Sequence, residues 1–370
     1  MKTTQQLHDL GQSLWLDNIT RELLTSGTLA RYISELSVTG LTSNPTIFDH
    51  AIQDGDFYDD AIRQKTLDGK AGEALFFELA LEDLIQAADL LRPVHDATKG
   101  VDGWVSLEVS PLLVDDTAGT IEAARLLHAR AQRPNLFIKI PGTDAGIPAI
   151  EEAIFAGVPV NVTLLFSREH YIAAAEAYMR GIERRIAAGL DTKVASVASL
   201  FISRWDVAVK NKVQGEFRNN HLGIAIAMRT YKAYRDLLAS PRWQKLAAAG
   251  ALPQRLLWAS TGTKDPSASE TLYVEALAAP DTINTIPEKT LLAFAEHGKI
   301  NNVLPSDERH AEMVEATIAE FTREGINDET LAAELQRAGT ESFAKSWHDL
   351  MACITSKSAT LIQNTNPNGN

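Results

Sequence analysis

Eight short apolar runs, rich in Val, Ile, Leu and Thr and mostly separated by longer amphipathic stretches, constrain this chain more than any other feature. They lie at 13–18, 39–45, 103–110, 135–141, 158–165, 193–202, 255–261 and 281–285. Each is too short for a stable helix and reads as a strand. Segments 118–132, 168–189 and 268–278 carry helical spacing, and two longer connections, 46–99 and 205–250, read as helical insertions. Strands alternating with helices predict a parallel sheet, and eight such strands can close on themselves. The expected fold is α/β, a single (β/α)8 TIM barrel with extra helices. The competing fold is an open doubly wound sheet, but no Gly-x-Gly-x-x-Gly follows a strand and no Walker-type loop is present. A helical stretch is expected at 306–350, with Ser306 as its N-cap and Glu308 close behind. The barrel and this extension should occupy 1–355. Residues 356–370 read as a polar tail whose last ten or so residues are disordered.

Bulk properties narrow the class. The 370 residues, 45% hydrophobic, suffice for a large core in one barrel. With 48 acidic against 35 basic side chains and a net charge of −13, the chain offers nothing to nucleic acid or an anionic membrane. An anionic substrate must then be drawn in by a few local basic groups. The single cysteine, Cys353, excludes an intrachain disulfide and a Cys-based metal cage. The N-terminus lacks the apolar stretch of a signal peptide, and no run approaches the roughly 18 apolar residues of a membrane span. Cytoplasmic residence is the expectation.

Residues two apart on a strand share a face, and barrel enzymes keep functional groups late in their strands. That test singles out Asp17, Asn44, Ser106 and Glu108, Lys139, Asn161 and Thr163, Ser199 and Phe201, and Ser260. Any one of these could be a hydrogen-bonded structural group. Polar residues arriving from six strands at one end of a barrel are harder to explain that way, because burying them is costly unless they meet one another.

Lys139 lies in Leu136–Pro141 between Ile138 and Ile140. A lysine freed of its proton by burial and nearby cations attacks carbonyls. Neighbouring carboxylates oppose this, and solvent between the ammonium and Glu108 or Asp17 is expected to limit their effect. The alternative is a purely structural Lys139–Glu108 pair. Schiff-base chemistry needs proton carriers for carbinolamine dehydration and for the hydroxyl at the cleaved bond, and Glu108 and Asp17 can divide these tasks. Thr163 is placed to hold a water linking Glu108 to the lysine. Asn44 and Asn161 can bind substrate hydroxyls. The iminium is the electron sink, so neither metal nor organic cofactor is required. Arg204, Ser260 and Lys264 form the candidate anion clamp at the rim. The nine histidines show no His-x-x-x-His or His-Glu-x-x-His pair, so metal-dependent aldol chemistry finds no ligand set.

The segments LTSNPTIF (41–48), SLEVSP (106–111), FIKIPGT (137–143), NVTLLFS (161–167) and SVASLFISRWD (196–206) together resemble transaldolases. LLWASTGTKDP (256–266) and DTINTIPEKTL (281–291) look like the family's longer subgroup, sometimes fused to glucose-6-phosphate isomerase. This chain is too short to carry that second enzyme. The resemblance implies a class I aldolase-like barrel, circularly permuted so that the lysine falls on strand four. It implies transfer of a dihydroxyacetone unit from sedoheptulose 7-phosphate to glyceraldehyde 3-phosphate, giving erythrose 4-phosphate and fructose 6-phosphate. On it, Lys139 is the Schiff-base residue, Asp17 the acid/base at the cleaved C–O–H, and Glu108 acts through a water near Thr163. Asn44 and Asn161 bind donor hydroxyls, Ser199, Arg204 and Ser260 fall on phosphate-pocket positions, and Phe201 lines the site. One departure is Gly262, where many members have Arg; Lys264 is the candidate replacement. Sugar phosphates are the expected partners, with the protein a monomer or homodimer. The alternatives are a fructose 6-phosphate aldolase-type lyase, separable by assay with and without an acceptor aldose, and a catalytically silent barrel.

Overall fold

The computed structural model describes residues 2–213 and 220–363. Its strands are β1 (Ser13–Asp17), β2 (Val38–Thr42), β3 (Trp104–Glu108), β4 (Leu136–Pro141), β5 (Val160–Leu165), β6 (Ser196–Phe201), β7 (Arg255–Ala259) and β8 (Thr282–Ile286). They form a closed barrel in sequence order, each parallel to the next, with β8 returning to β1. All eight expected strands are present, most of them shorter than the runs that announced them.

Alternation along the strands builds two cores. Outward residues such as Leu14, Leu16, Leu107, Ile138, Ile140, Val160, Val162, Leu200 and Leu256 join the layer beneath the helices. Inward residues Trp15, Trp104, Phe137, Val197, Leu257 and Ile283 fill the lumen. Trp104 stacks on Phe137 with ring centroids 4.1 Å apart, and Trp15 lies 6.1 Å from Phe137. Gly40 of β2 makes room for this plug, since a Cβ there would sit 2.5 Å from the Trp15 indole. Below the rings, Asp102 accepts from Ser13 Oγ and, at 2.7 Å, from Trp15 Nε1. Arg255 donates to Ser13 Oγ at 2.7 Å and to the Thr282 carbonyl at 2.8 Å. The lower barrel is therefore packed and hydrogen-bonded shut, which leaves the upper ends of the strands as the open face.

The connections match expectation in the two long insertions and depart from it in the later helices. Both long insertions are helical, 46–99 carrying Asp59–Leu67 and Gly72–Ala97 and 205–250 carrying Leu222–Ala239 and Pro241–Ala248. The helix expected over 268–278 contracts to Leu272–Ala276. Upstream of it, Asp265 accepts from Ser267 N and Oγ, and Thr263 donates to the Ser269 carbonyl, so side chains compete with the helical ladder. The stretch expected at 306–350 is two helices, Glu308–Arg323 and Asp328–Gln363. Asp307, not Ser306, caps the first, accepting from His310 N at 3.1 Å, as a carboxylate at a helix N-terminus does well. The Asn327 side chain accepts from Thr330 N and restarts the chain as the second.

That C-terminal helix runs past 356, where a polar tail was expected. Trp347, Leu350, Ile354 and Leu361 are buried along it, and Lys357 Nζ donates to the carbonyls of Ile52 and Gly55. Of the ten residues expected to be disordered, 364–370 lie outside the described residues, and the three before them are helical. No helix among the described residues is long and apolar enough to cross a membrane.

Candidate active site

Strand register assembles the centre of the open face. Lys139 on β4 is the direct parallel partner of Glu108 on β3, and Asp17 on β1 is the partner of Thr42 on β2. Lys139 Nζ donates to Glu108 Oε2 at 3.3 Å and to the Ser43 carbonyl at 3.2 Å. Both members of the pair are buried, Lys139 at 6% and Glu108 at 5% exposure. The contact is direct, so the expected solvent layer between the ammonium and Glu108 is not what separates them. Register explains this, because adjacent inward positions on neighbouring strands stand within side-chain reach.

Asp17 accepts from Thr42 Oγ1 at 2.9 Å and faces the same cavity as Lys139. Burial pushes the Asp17 carboxyl above its ordinary pKa, against the pull of Lys139, the Thr42 hydroxyl and Lys264. Burial likewise pushes Glu108 up; Lys139 opposes the shift and Asp17 adds to it. Glu108 Oε1 and Thr163 Oγ1 are buried with no hydrogen-bond partner among the described residues.

The cavity is lined by Asp17, Asn44, Lys139, Thr163, Ser199, Phe201, Arg204, Ser260, Gly262 and Lys264, so it gathers nine of the eleven sequence-predicted site residues. Glu108 lies just beneath, against the lysine. Asn161 is placed differently: it is fully buried, its amide donating to Ser106 Oγ at 3.1 Å and accepting from Ser199 Oγ at 2.7 Å. Level with Lys139 in the register, it braces Ser199, which lines the cavity. Asn44 uses its Oδ1 to accept from Ile47 N at 3.1 Å, capping the helix Pro45–Gln53, while it also lines the site.

The rim is cationic. Arg204 is half-buried, and no carboxylate pairs with it among the described residues. Its guanidinium carbon lies 5.0 Å from the Phe201 ring centroid and 5.9 Å from that of Phe343. Burial depresses its pKa. Ser260 sits at φ +57°, an uncommon conformation for a residue with a side chain, and its hydroxyl is 3.0 Å from that of Ser203. Lys264 is exposed at the lip. An unpaired, partly desolvated guanidinium with hydroxyls and an ammonium beside it is suited to an anion.

Sequence reading did not anticipate the Ser43 carbonyl, Thr285, Pro287 or Phe343. Thr285 had a signal, its inward parity and late position on β8. A backbone carbonyl has none, and nothing in the sequence ties Phe343 to the barrel mouth.

Comparison with known proteins gives a consistent picture. The family described as Transaldolase/Fructose-6-phosphate aldolase matches residues 14–354. A transaldolase of Parafrankia sp. (strain EAN1pec) is 44% identical over 363 residues, covering 95% of this chain and 97% of its own. One from Thermobifida fusca (strain YX) is 43% identical over 354 residues, covering 94% and 96%. One from Thiobacillus denitrificans is 43% identical over 361 residues, covering 96% and 100%.

Proposed function

Because this chain belongs to the transaldolase/fructose-6-phosphate aldolase family, we propose that it is a transaldolase working through a Schiff base on Lys139. It moves a dihydroxyacetone unit from sedoheptulose 7-phosphate to glyceraldehyde 3-phosphate, releasing erythrose 4-phosphate and fructose 6-phosphate, in the non-oxidative pentose phosphate pathway. The observation that carries this reading is a buried lysine in a barrel mouth, 3.3 Å from one carboxyl and sharing its cavity with a second.

The Lys139 amine adds to the ketose carbonyl, and loss of water leaves an iminium. Glu108, touching Nζ and raised in pKa by its burial, takes and returns protons in that dehydration. The partnerless Glu108 Oε1 and Thr163 Oγ1 support a water as the carrier between them. Asp17 then removes the proton from the hydroxyl on the carbon beyond the breaking bond. The bond's electrons move into the iminium, giving an enamine, and the aldose leaves. Attack of the enamine on the acceptor aldehyde runs these steps in reverse. Asn44 holds donor hydroxyls, and Ser199, Arg204, Ser260 and Lys264 bind the phosphate, with Lys264 supplying the charge that Gly262 lacks. Lysine and carboxylates supply every proton and electron transfer, so the scheme uses no cofactor or metal. The same reading assigns the enzyme to the cytoplasm as a monomer or homodimer.

Borohydride reduction in the presence of fructose 6-phosphate tests it. Peptide mapping should find one dihydroxyacetone-derived adduct, on Lys139. An adduct elsewhere, or none, ends the proposal.

A further inference from the structure

We propose that the C-terminal helix is the roof of the site and decides whether the bound three-carbon unit is transferred or released, with Phe343 as the specificity-determining side chain. This rests on the Schiff-base reading of Lys139 given above.

Three residues of that helix, spaced to share one face, converge on the chemistry. Gln336 donates from Nε2 to the carbonyls of Gly142 and Leu164, each at 3.0 Å. Gly142 directly follows β4 and Leu164 lies near the end of β5, the strands that present Lys139 and Thr163. Gly339 allows the helix to approach closely, since a Cβ there would lie 2.9 Å from Leu164 Cδ2 and 3.2 Å from an Arg204 guanidinium nitrogen. One turn further, Phe343 enters the cavity at 7% exposure. Its ring centroid is 5.9 Å from Lys139 Nζ and 5.9 Å from the Arg204 guanidinium carbon. Further along the same face, Thr46 Oγ1 donates to Ser346 Oγ at 2.8 Å and ties the helix down.

An apolar ring over the reacting nitrogen has two consequences. It stabilises the positively charged iminium by its quadrupole, and it keeps bulk water from that nitrogen's carbon. The enamine has two fates. Its carbon attacks an acceptor aldehyde, forming a carbon–carbon bond, and the new iminium is hydrolysed to release the longer ketose. Alternatively, a proton adds to the enamine carbon, water adds to the resulting iminium carbon, the C–N bond breaks and a proton leaves, freeing dihydroxyacetone and the amine. The second route needs water before an acceptor arrives, and Phe343 disfavours it. Gln336 is a positioning residue that sets the height of the ring above the strands.

The test compares two rates on the full-length protein: release of free dihydroxyacetone from fructose 6-phosphate alone, and transfer to erythrose 4-phosphate. Phe343→Ala should raise the release-to-transfer ratio roughly tenfold or more, with borohydride still trapping the adduct on Lys139. Gln336→Leu keeps the size, loses both strap bonds and should shift the ratio in the same direction, which keeps the test open should Phe343→Ala not fold. A purely structural role would lower both rates together. A ratio within about twofold of wild type in the folded variants overturns the proposal. Absence of a Lys139 adduct in the wild type would instead overturn the active-site reading, so the two failures are distinguishable.

Discussion

Lys139 and Glu108 meet because they are register partners on adjacent strands, and the consequence is an amine–carboxyl contact of 3.3 Å inside a buried site. Replacing Lys139 with Met keeps the stem and removes the amine; transfer activity should fall to background with the fold intact by circular dichroism. Glu108→Gln keeps the shape and should lower kcat by roughly 10²- to 10⁴-fold. Burial raises both Glu108 and Asp17, and the ionised forms are those that accept protons. The acid limb of kcat/KM against pH should therefore lie above the ordinary carboxylate range, with activity climbing as pH rises through it. The two carboxyls interact, so the limb belongs to the pair, and Glu108→Gln should displace it. At the rim, Arg204→Ala should raise KM for fructose 6-phosphate by roughly tenfold or more and leave any activity on unphosphorylated ketose little changed. Much of this site was legible from parity alone, since inward polar residues late in strands are conspicuous. Parity gives the face but not the partners, which is why the bonds from Asn161 to Ser106 and Ser199 could not be read from it.

Among the connecting elements, the helix Leu222–Ala239 shows how a distant side chain substitutes for a local cap. The Asp206 carboxylate accepts from the amides of Leu222 at 2.9 Å and Gly223 at 3.2 Å, and from the Tyr273 hydroxyl at 2.7 Å. Burial nevertheless raises its pKa to about 6, because three donors do not fully replace the water it has lost. A raised folded pKa gives stability that is fully present below the unfolded value of about 4 and is lost as pH rises through about 6. The unfolding free energy of wild type relative to Asp206→Asn should thus decline between those pH values; denaturant titrations at several pH values would show it, and a flat difference would contradict it. Strands were the easiest elements to read, because β-branched runs bounded by turn residues have few alternatives. Helix ends were harder. Ser306 and Asp307 are both good caps, and which one serves depends on where the chain turns after Leu304 has been buried against the barrel.

Across the whole molecule, charge is distributed so that the excess of carboxylates occupies most arginines. Arg184, Arg229 and Arg242 each hold two acidic partners, whereas Arg204 in the barrel mouth pairs with no carboxylate among the described residues. A net charge of −13 thus coexists with one locally attractive spot for a phosphate. The barrel interior is equally global, because the aromatic plug from β1, β3 and β4 shares one core with Val197, Leu257 and Ile283 of β6, β7 and β8. Gly40→Ala would push a methyl group against Trp15 and should cost about 1–3 kcal/mol of unfolding free energy by denaturant titration, while leaving the Lys139 adduct intact. Closure of the barrel was legible because eight strand signals admit few arrangements. The return of the last helix to the mouth was not, because its sequence reads as an ordinary amphipathic surface segment and only the finished barrel offers the notch that receives it.

That return sets an order on biosynthesis. Among the described residues every strand lies within 13–286, ahead of Gln336 and Phe343, so synthesis delivers the strands before their cover. The strands that carry Asp17, Glu108 and Lys139 all precede the helix that covers their mouth. If the helix governs release as proposed above, selectivity rests on a segment synthesised after the site that it covers.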